Sequence, residues 1–208
     1  MDLQGDNLPD LVRRRFGDSS IPDDFTPRRA IGDLPPGFLP AKPWRPASVL
    51  LPVVMRSEPT VLFTQRTERL ADHAGQVSFP GGGREPADRD AIATALRETE
   101  EEVGLDRSYI EVVGYLRGYL TISGYAVTPV VALVKPGFVL TPDPLEVADV
   151  FEVPLAFLLE PRNRQLQMRE LGGERVGFYF YNYQQRNIWG ATAAMLVNFL
   201  EQLVAEGP

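Results

Sequence analysis

Apolar positions along the chain fall into short runs with two different periods. Residues 48–55 are apolar after Ser48 and rich in valine, and they read as a buried strand. Residues 60–65 read as a second strand, with Ser57-Glu58-Pro59 as the hairpin connection. Residues 66–76 are polar and read as a loop, and 77–79 form a short strand broken by Pro80-Gly81-Gly82-Gly83. Further strands are expected over 110–120 and 126–134. Residues 145–149 read as a turn or short helix leading to an extended 150–153. Alternation over 165–170 and 176–183, with Gly172-Gly173 between, predicts a hairpin.

Helical spacing appears in four places. Leu8, Leu11, Val12 and Phe16 recur over 7–16, with Asn7 as a cap and Pro9 in the first turn. A second helix ends near Val103, with Asp88 or Asp90 as its cap and Gly104 as its stop. Residues 154–159 form a short helix. Residues 188–203 form an amphipathic one, with Ala191, Met195, Leu196, Phe199, Leu200 and Leu203 on its apolar side. Strands segregated around two long helices predict an α+β fold, an α/β/α sandwich, rather than a doubly wound parallel sheet. Residues 1–45 read as a lead-in with frequent proline (22, 27, 35, 36, 40 and 43), and 46–208 as the main domain. Packing on the sheet and forming a homodimer contact are the two roles open to the lead-in.

Composition narrows the chemistry. The chain has 208 residues, enough to bury a sizeable core, and a net charge of −7, which argues against general nucleic-acid binding. It has no cysteine, so disulfides, thiolate zinc sites and cysteine nucleophiles are excluded, and a reducing, cytoplasmic setting is expected. With one histidine, His73, a metal site must rely mainly on oxygen ligands, which favours Mg²⁺ or Mn²⁺. No apolar run approaches the roughly 18 residues that span a bilayer, and the N-terminal stretch has no apolar signal core, so no membrane partner is expected.

The densest chemistry lies in Arg97-Glu98-Thr99-Glu100-Glu101-Glu102-Val103-Gly104-Leu105. On a helix, Glu98, Glu101 and Glu102 project from one face, while Ile92, Ala95, Leu96, Thr99 and Val103 gather on the other. Like charges at this spacing repel by a few tenths of a kcal/mol when exposed. The cost is either tolerated on a solvated face or recovered from a bound cation. Arg97 can reach Glu101 one turn on and orient it. Gly81-Gly82-Gly83 just upstream serve either as an ordinary turn or as a backbone that something can approach closely.

These residues resemble a Nudix box. Gly82, Asp88, Arg97, Glu98, Glu101, Glu102, Gly104 and Leu105 occupy its positions, with Thr99 in an apolar slot. The first acid departs from the pattern: Arg89 stands at its position and Asp88 one residue earlier. Upstream, 62–69, His73, Gly75 and Phe79-Pro80-Gly81-Gly82 resemble the signature of the coenzyme A pyrophosphatase subfamily. The stretches 86–88, 94–98, 124–131, 150–155 and 188–193 are also similar to that subfamily.

The resemblance implies a Nudix fold with a mixed sheet between helices. It implies metal-dependent hydrolysis of coenzyme A to 3′,5′-ADP and 4′-phosphopantetheine. The alternatives are another nucleoside diphosphate derivative, ADP-ribose or NADH, and a non-catalytic nucleotide-sensing module. Glu98, Glu101 and Glu102 are the implied metal ligands and catalytic residues, with Mg²⁺ or Mn²⁺ as cofactor. Glu146 is the candidate general base, with Asp149 and Glu152 as rivals. Gly82 and Gly83 line the substrate site. Arg66 and Arg69 are expected to bind substrate phosphates, the 3′-phosphate of coenzyme A among them.

Overall fold

The computed structural model describes residues 8–17, 43–69 and 73–205. Strand β1 (Arg45–Val54) is the axis of the molecule. It pairs in parallel with β7 (Tyr125–Val134) along its whole length and antiparallel with β2 (Thr60–Arg66). The valine and leucine content that marked these runs suits strands buried on both faces. β3 (Val77–Ser78) and β8 (Val147–Pro154) pair with β2, and β5 (Ile110–Tyr115) pairs with β7. The sheet is therefore mixed, as expected.

Side chains alternate across it. Leu50, Val54, Leu62, Val130, Ala132 and Val134 point to the face covered by α2 (Ala91–Val103), where Ala95 and Val103 are buried. Leu51, Val53, Val61, Phe63, Val131 and Leu133 point to the other face. That face is covered by α4 (Gly190–Val204) and by α1 (Leu8–Phe16), whose Phe16 ring stacks on Phe199 at 5.2 Å. Asn7 and the prolines at 22, 27, 35, 36 and 40 lie outside the described residues.

Four sequence expectations are corrected. The turn or short helix expected over 145–149 ends at Glu146, because Val147 already pairs with Arg66 as the first residue of β8. Gly81–Gly83 is a strand, β4, paired with Ala47–Val49 of β1, because glycines without side chains let the backbone lie flat on its neighbour. The expected strand over 110–120 is two: β5 bulges near Val112 and stops at Tyr115, and β6 (Tyr119–Leu120) resumes against β7. Ile188 and Trp189 do not open the last helix. They end β11 (Arg186–Trp189), which pairs with β10 (Glu174–Tyr183) and through it with β9 (Gln165–Leu171) in a second sheet. Gly190, at φ 63°, makes the corner from strand to helix that a side chain would resist. The short helix α3 (Leu155–Leu159) falls at its expected place.

Candidate active site

Helix α2 is fixed at both ends. Asp90 accepts the Ala93 N–H at 2.8 Å, and Gly104, left-handed at φ 67°, closes it through the Glu100 carbonyl. Asp88, the other cap candidate, has a different task. It is buried and accepts from Arg97 with both oxygens at 3.0 and 2.9 Å, from Thr94 Oγ1 at 3.0 Å and from the Glu85 N–H at 2.9 Å. The Arg97 guanidinium, helped by the Glu85 N–H, holds this carboxyl far below the ordinary carboxylate range. The acid displaced by one residue thus anchors an arginine, while Arg89 is exposed beside Asp90.

Arg97 is the distribution point. Besides Asp88 it donates to the Gly83 carbonyl at 3.0 Å and to Glu101 at 2.8 Å, and stands 3.1 Å from Glu98. One guanidinium therefore holds the Glu98 and Glu101 carboxylates side by side. Glu101 remains 60% exposed, whereas Glu102 is 4% exposed. Glu102 accepts the Gly81 N–H at 3.0 Å and stands 3.5 Å from Arg66 Nη1. Burial raises the pKa of Glu98. Burial also pushes Glu102 up to about 7, against the pull of the Gly81 N–H and Arg66, with the charges of Glu98 and Glu146 adding to the rise.

Gly82 has a packing reason to be glycine. A Cβ there would lie 2.6–2.7 Å from the Glu98 carboxylate, so Glu98 can hold this position over β4 only without one.

Glu98 and Glu102 share a cavity of about 600 Å³, which Glu101, Arg97 and Asp88 do not line. Glu98, Glu102, Gly81, Gly82, Gly83, Arg66, His73, Gln76 and Glu146 all line it. Glu146 comes from the turn before β8, whose backbone carbonyl accepts the Thr67 N–H at 2.9 Å. Its rivals are engaged elsewhere: Glu152 pairs with Arg56 at 2.6 Å and bonds Thr60, and Asp149 pairs with Arg186 at 2.7 Å. Neither lines the cavity. Arg69 is exposed and is not brought to it either. His73, at φ 58°, shares a 3.0 Å hydrogen bond with Gln76.

Sequence reasoning missed the far wall. Tyr119, Ile122, Tyr125, Phe178 and Trp189 line the same cavity. Phe178 and Trp189 come from the second sheet, where Phe180 pairs with Trp189 and Phe178 lies two residues along on the same face. The period-2 pattern of β10 is a signal for this, but the helical spacing over 188–203 hides Trp189.

The arrangement sets the buried Glu102 and the half-buried Glu98, which repel each other, beside a glycine strand, an arginine and an aromatic wall. Such a donor set fits a hard divalent cation and a phosphate-bearing ligand. Among the described residues, no three or more acidic or histidine side chains are grouped so as to hold a metal ion, so Glu98, Glu101 and Glu102 are not gathered into one ligand set.

Residues 44–171 match the NUDIX domain family. A protein of Photorhabdus laumondii named "Uncharacterized Nudix hydrolase NudL" is 44% identical over 159 residues, 76% of this chain and 85% of that one. Its namesake in Pectobacterium atrosepticum is 42% identical over 176 residues, 84% of this chain and 90% of that one. A solved Nudix hydrolase from M. smegmatis, RenU, is 21% identical with a TM-score of 0.45, covering 54% of this chain and 72% of that one. The chain therefore belongs to the Nudix hydrolases, a family whose members cleave nucleoside diphosphate derivatives with divalent metal ions.

Proposed function

We propose that the chain hydrolyses the diphosphate of coenzyme A, releasing 3′,5′-ADP and 4′-phosphopantetheine. One observation carries the reading. The segment that resembles the coenzyme A pyrophosphatase signature runs along the same cavity as the glutamates: Arg66, His73, Gln76, Phe79, Gly81 and Gly82 all line it. The aromatic wall opposite supports a substrate with large groups beyond its diphosphate. Half of that wall, Phe178 and Trp189, lies outside the residues that match the NUDIX domain, and Trp189 falls in the stretch 188–193 that resembles the coenzyme A pyrophosphatase subfamily.

In this reading Glu98 and Glu102 hold the divalent ion, with Glu101 as a third donor kept beside Glu98 by Arg97. When bound, the ion neutralises the diphosphate and makes a water more acidic. The protein does the rest. The Gly81 N–H fixes the Glu102 carboxylate, Asp88 fixes Arg97, and the β4 backbone leaves room for the substrate. Glu146, exposed at the cavity rim, takes the proton of the attacking water. The test is product analysis: with Mg²⁺ and coenzyme A alone, the protein should release 3′,5′-ADP and 4′-phosphopantetheine in equal amounts. Intact coenzyme A after prolonged incubation would sink the proposal.

A further inference from the structure

Arg66 was expected to bind substrate phosphates, with the 3′-phosphate of coenzyme A in view. Its position indicates a different partner. Arg66 ends β2, where the pairing with β8 slips by a residue: Gln65 faces Asp149 but Arg66 faces Val147. Such an irregularity re-aims a side chain. Here it carries the guanidinium into the glutamate cavity, with Nη1 at 3.5 Å from Glu102 Oε1. That distance makes an ion pair but not a full hydrogen bond. Arg66 Nε is buried and has no hydrogen-bond partner among the described residues. A buried donor left without a partner destabilises the protein. A ligand that fills it recovers that cost.

The other arginines near the site are committed. Arg97 is divided among Asp88, the Gly83 carbonyl, Glu98 and Glu101. Arg56 serves Glu152, and Arg186 serves Asp149. Arg66 is the one arginine among the described residues lining the cavity.

We propose that Arg66 grips the scissile diphosphate itself and stabilises the charge that grows there, making it a catalytic residue rather than a reader of a distant phosphate. The inference rests on the cavity being the diphosphate site, as in the proposed function. In the reaction, the water oxygen bonds to one phosphorus while the bridging P–O bond breaks, its electron pair leaving with the other phosphate. One proton of the water passes to Glu146 and from there to solvent, the other passes to solvent directly, and two phosphate monoesters result. Each phosphate gains negative charge. A planar guanidinium beside them follows that charge with charge-assisted bonds that strengthen as it develops.

The test compares Arg66→Ala with wild type on coenzyme A and on 3′-dephospho-coenzyme A. Losing a donor to developing charge should cost kcat about 10²-fold. The loss should be equal on both substrates, since both carry the diphosphate. A larger loss on coenzyme A assigns Arg66 to the 3′-phosphate and overturns the proposal, as does an unchanged kcat. Affinity for α,β-methylene-ADP, measured with a chelator present, should also fall about tenfold; unchanged affinity counts against the proposal. If Arg66→Ala does not fold, Arg66→Lys replaces it. It keeps the charge but lacks the fork, so it should recover only part of kcat, again equally on both substrates. Full recovery would refute the fork. If wild type leaves coenzyme A intact but cuts ADP-ribose, the substrate reading fails alone. The same variants on ADP-ribose then decide Arg66: a 10²-fold loss supports it, and no loss refutes it.

Discussion

Replacing Glu102 by glutamine should make the metal-free protein more stable while removing its activity. Glu102 is 4% exposed, and burial lifts its pKa from 4.5 to about 7. A folded-state pKa above the unfolded value means that the folded protein binds the proton more tightly. Stability from this group is therefore fully present below pH 4.5 and is lost as pH rises through 7. At about 1.4 kcal/mol per unit, the full loss at pH 8 is about 3 kcal/mol. Glutamine retains an oxygen for the Gly81 N–H but has no charge to desolvate. Its amide meets Arg66 less well than a carboxylate does, so the net gain at pH 8 is about 1–3 kcal/mol. For a chain of this length that raises Tm by roughly 3–10 °C. The assay is thermal unfolding followed by circular dichroism, with a chelator, at pH 5 and pH 8. At pH 5 wild-type Glu102 is protonated, and the two proteins should melt within about 2 °C of each other. Mg²⁺ at pH 8 should stabilise wild type and not the variant. A variant that melts lower than wild type at pH 8, or that gains as much at pH 5, would refute the argument that Glu102 is held charged against its environment.

Two further substitutions separate positioning from folding. Gly82→Ala puts a methyl 2.6 Å from the Glu98 carboxylate, a flexible side-chain end that swings aside. Stability should change by about 1 kcal/mol or less while kcat falls at least about tenfold, read from unfolding curves and initial rates. Asp88→Asn breaks the buried pair with Arg97 and should cost about 3–5 kcal/mol at pH 7. Because Asp88 is held below its ordinary pKa, its contribution is present above the usual carboxylate range and vanishes as pH falls through the depressed value. Urea titrations should therefore show the gap between wild type and Asp88→Asn closing below pH 4.

The central sheet was legible because strands buried on both faces leave long apolar runs, and 48–55, 60–65 and 126–134 are such runs. Helix α2 was legible from its stop, its cap candidates and its face of glutamates. What failed was local. A glycine triplet has no side chains to report whether it turns or pairs, so β4 was invisible until β1 lay beside it. Trp189 sits where a strand gives way to a helix, and its apolar neighbours suit either period; only the register with Phe180 decides. The aromatic wall is assembled from β6, β7, β10 and β11, far apart in sequence, and no spacing along the chain could join them. Asp88 looked like a misplaced box acid. Its work as the anchor of Arg97 depends on a nine-residue separation closed by the loop and the first turns of α2. Arg66 stood out in the sequence as a candidate for phosphate binding, and it lines the cavity. Its proximity to Glu102 comes from a slip in strand register that the sequence does not announce.

Substrate choice depends on which diphosphate the cavity takes. The most direct measurement is a competition: coenzyme A, ADP-ribose and NADH at equal concentration in one vessel with Mg²⁺, their disappearance followed by mass spectrometry. Consumption rates under these conditions give the ratios of kcat/KM. Coenzyme A should be consumed first, with 3′,5′-ADP and 4′-phosphopantetheine accumulating as it goes. ADP-ribose or NADH disappearing while coenzyme A persists would contradict the account.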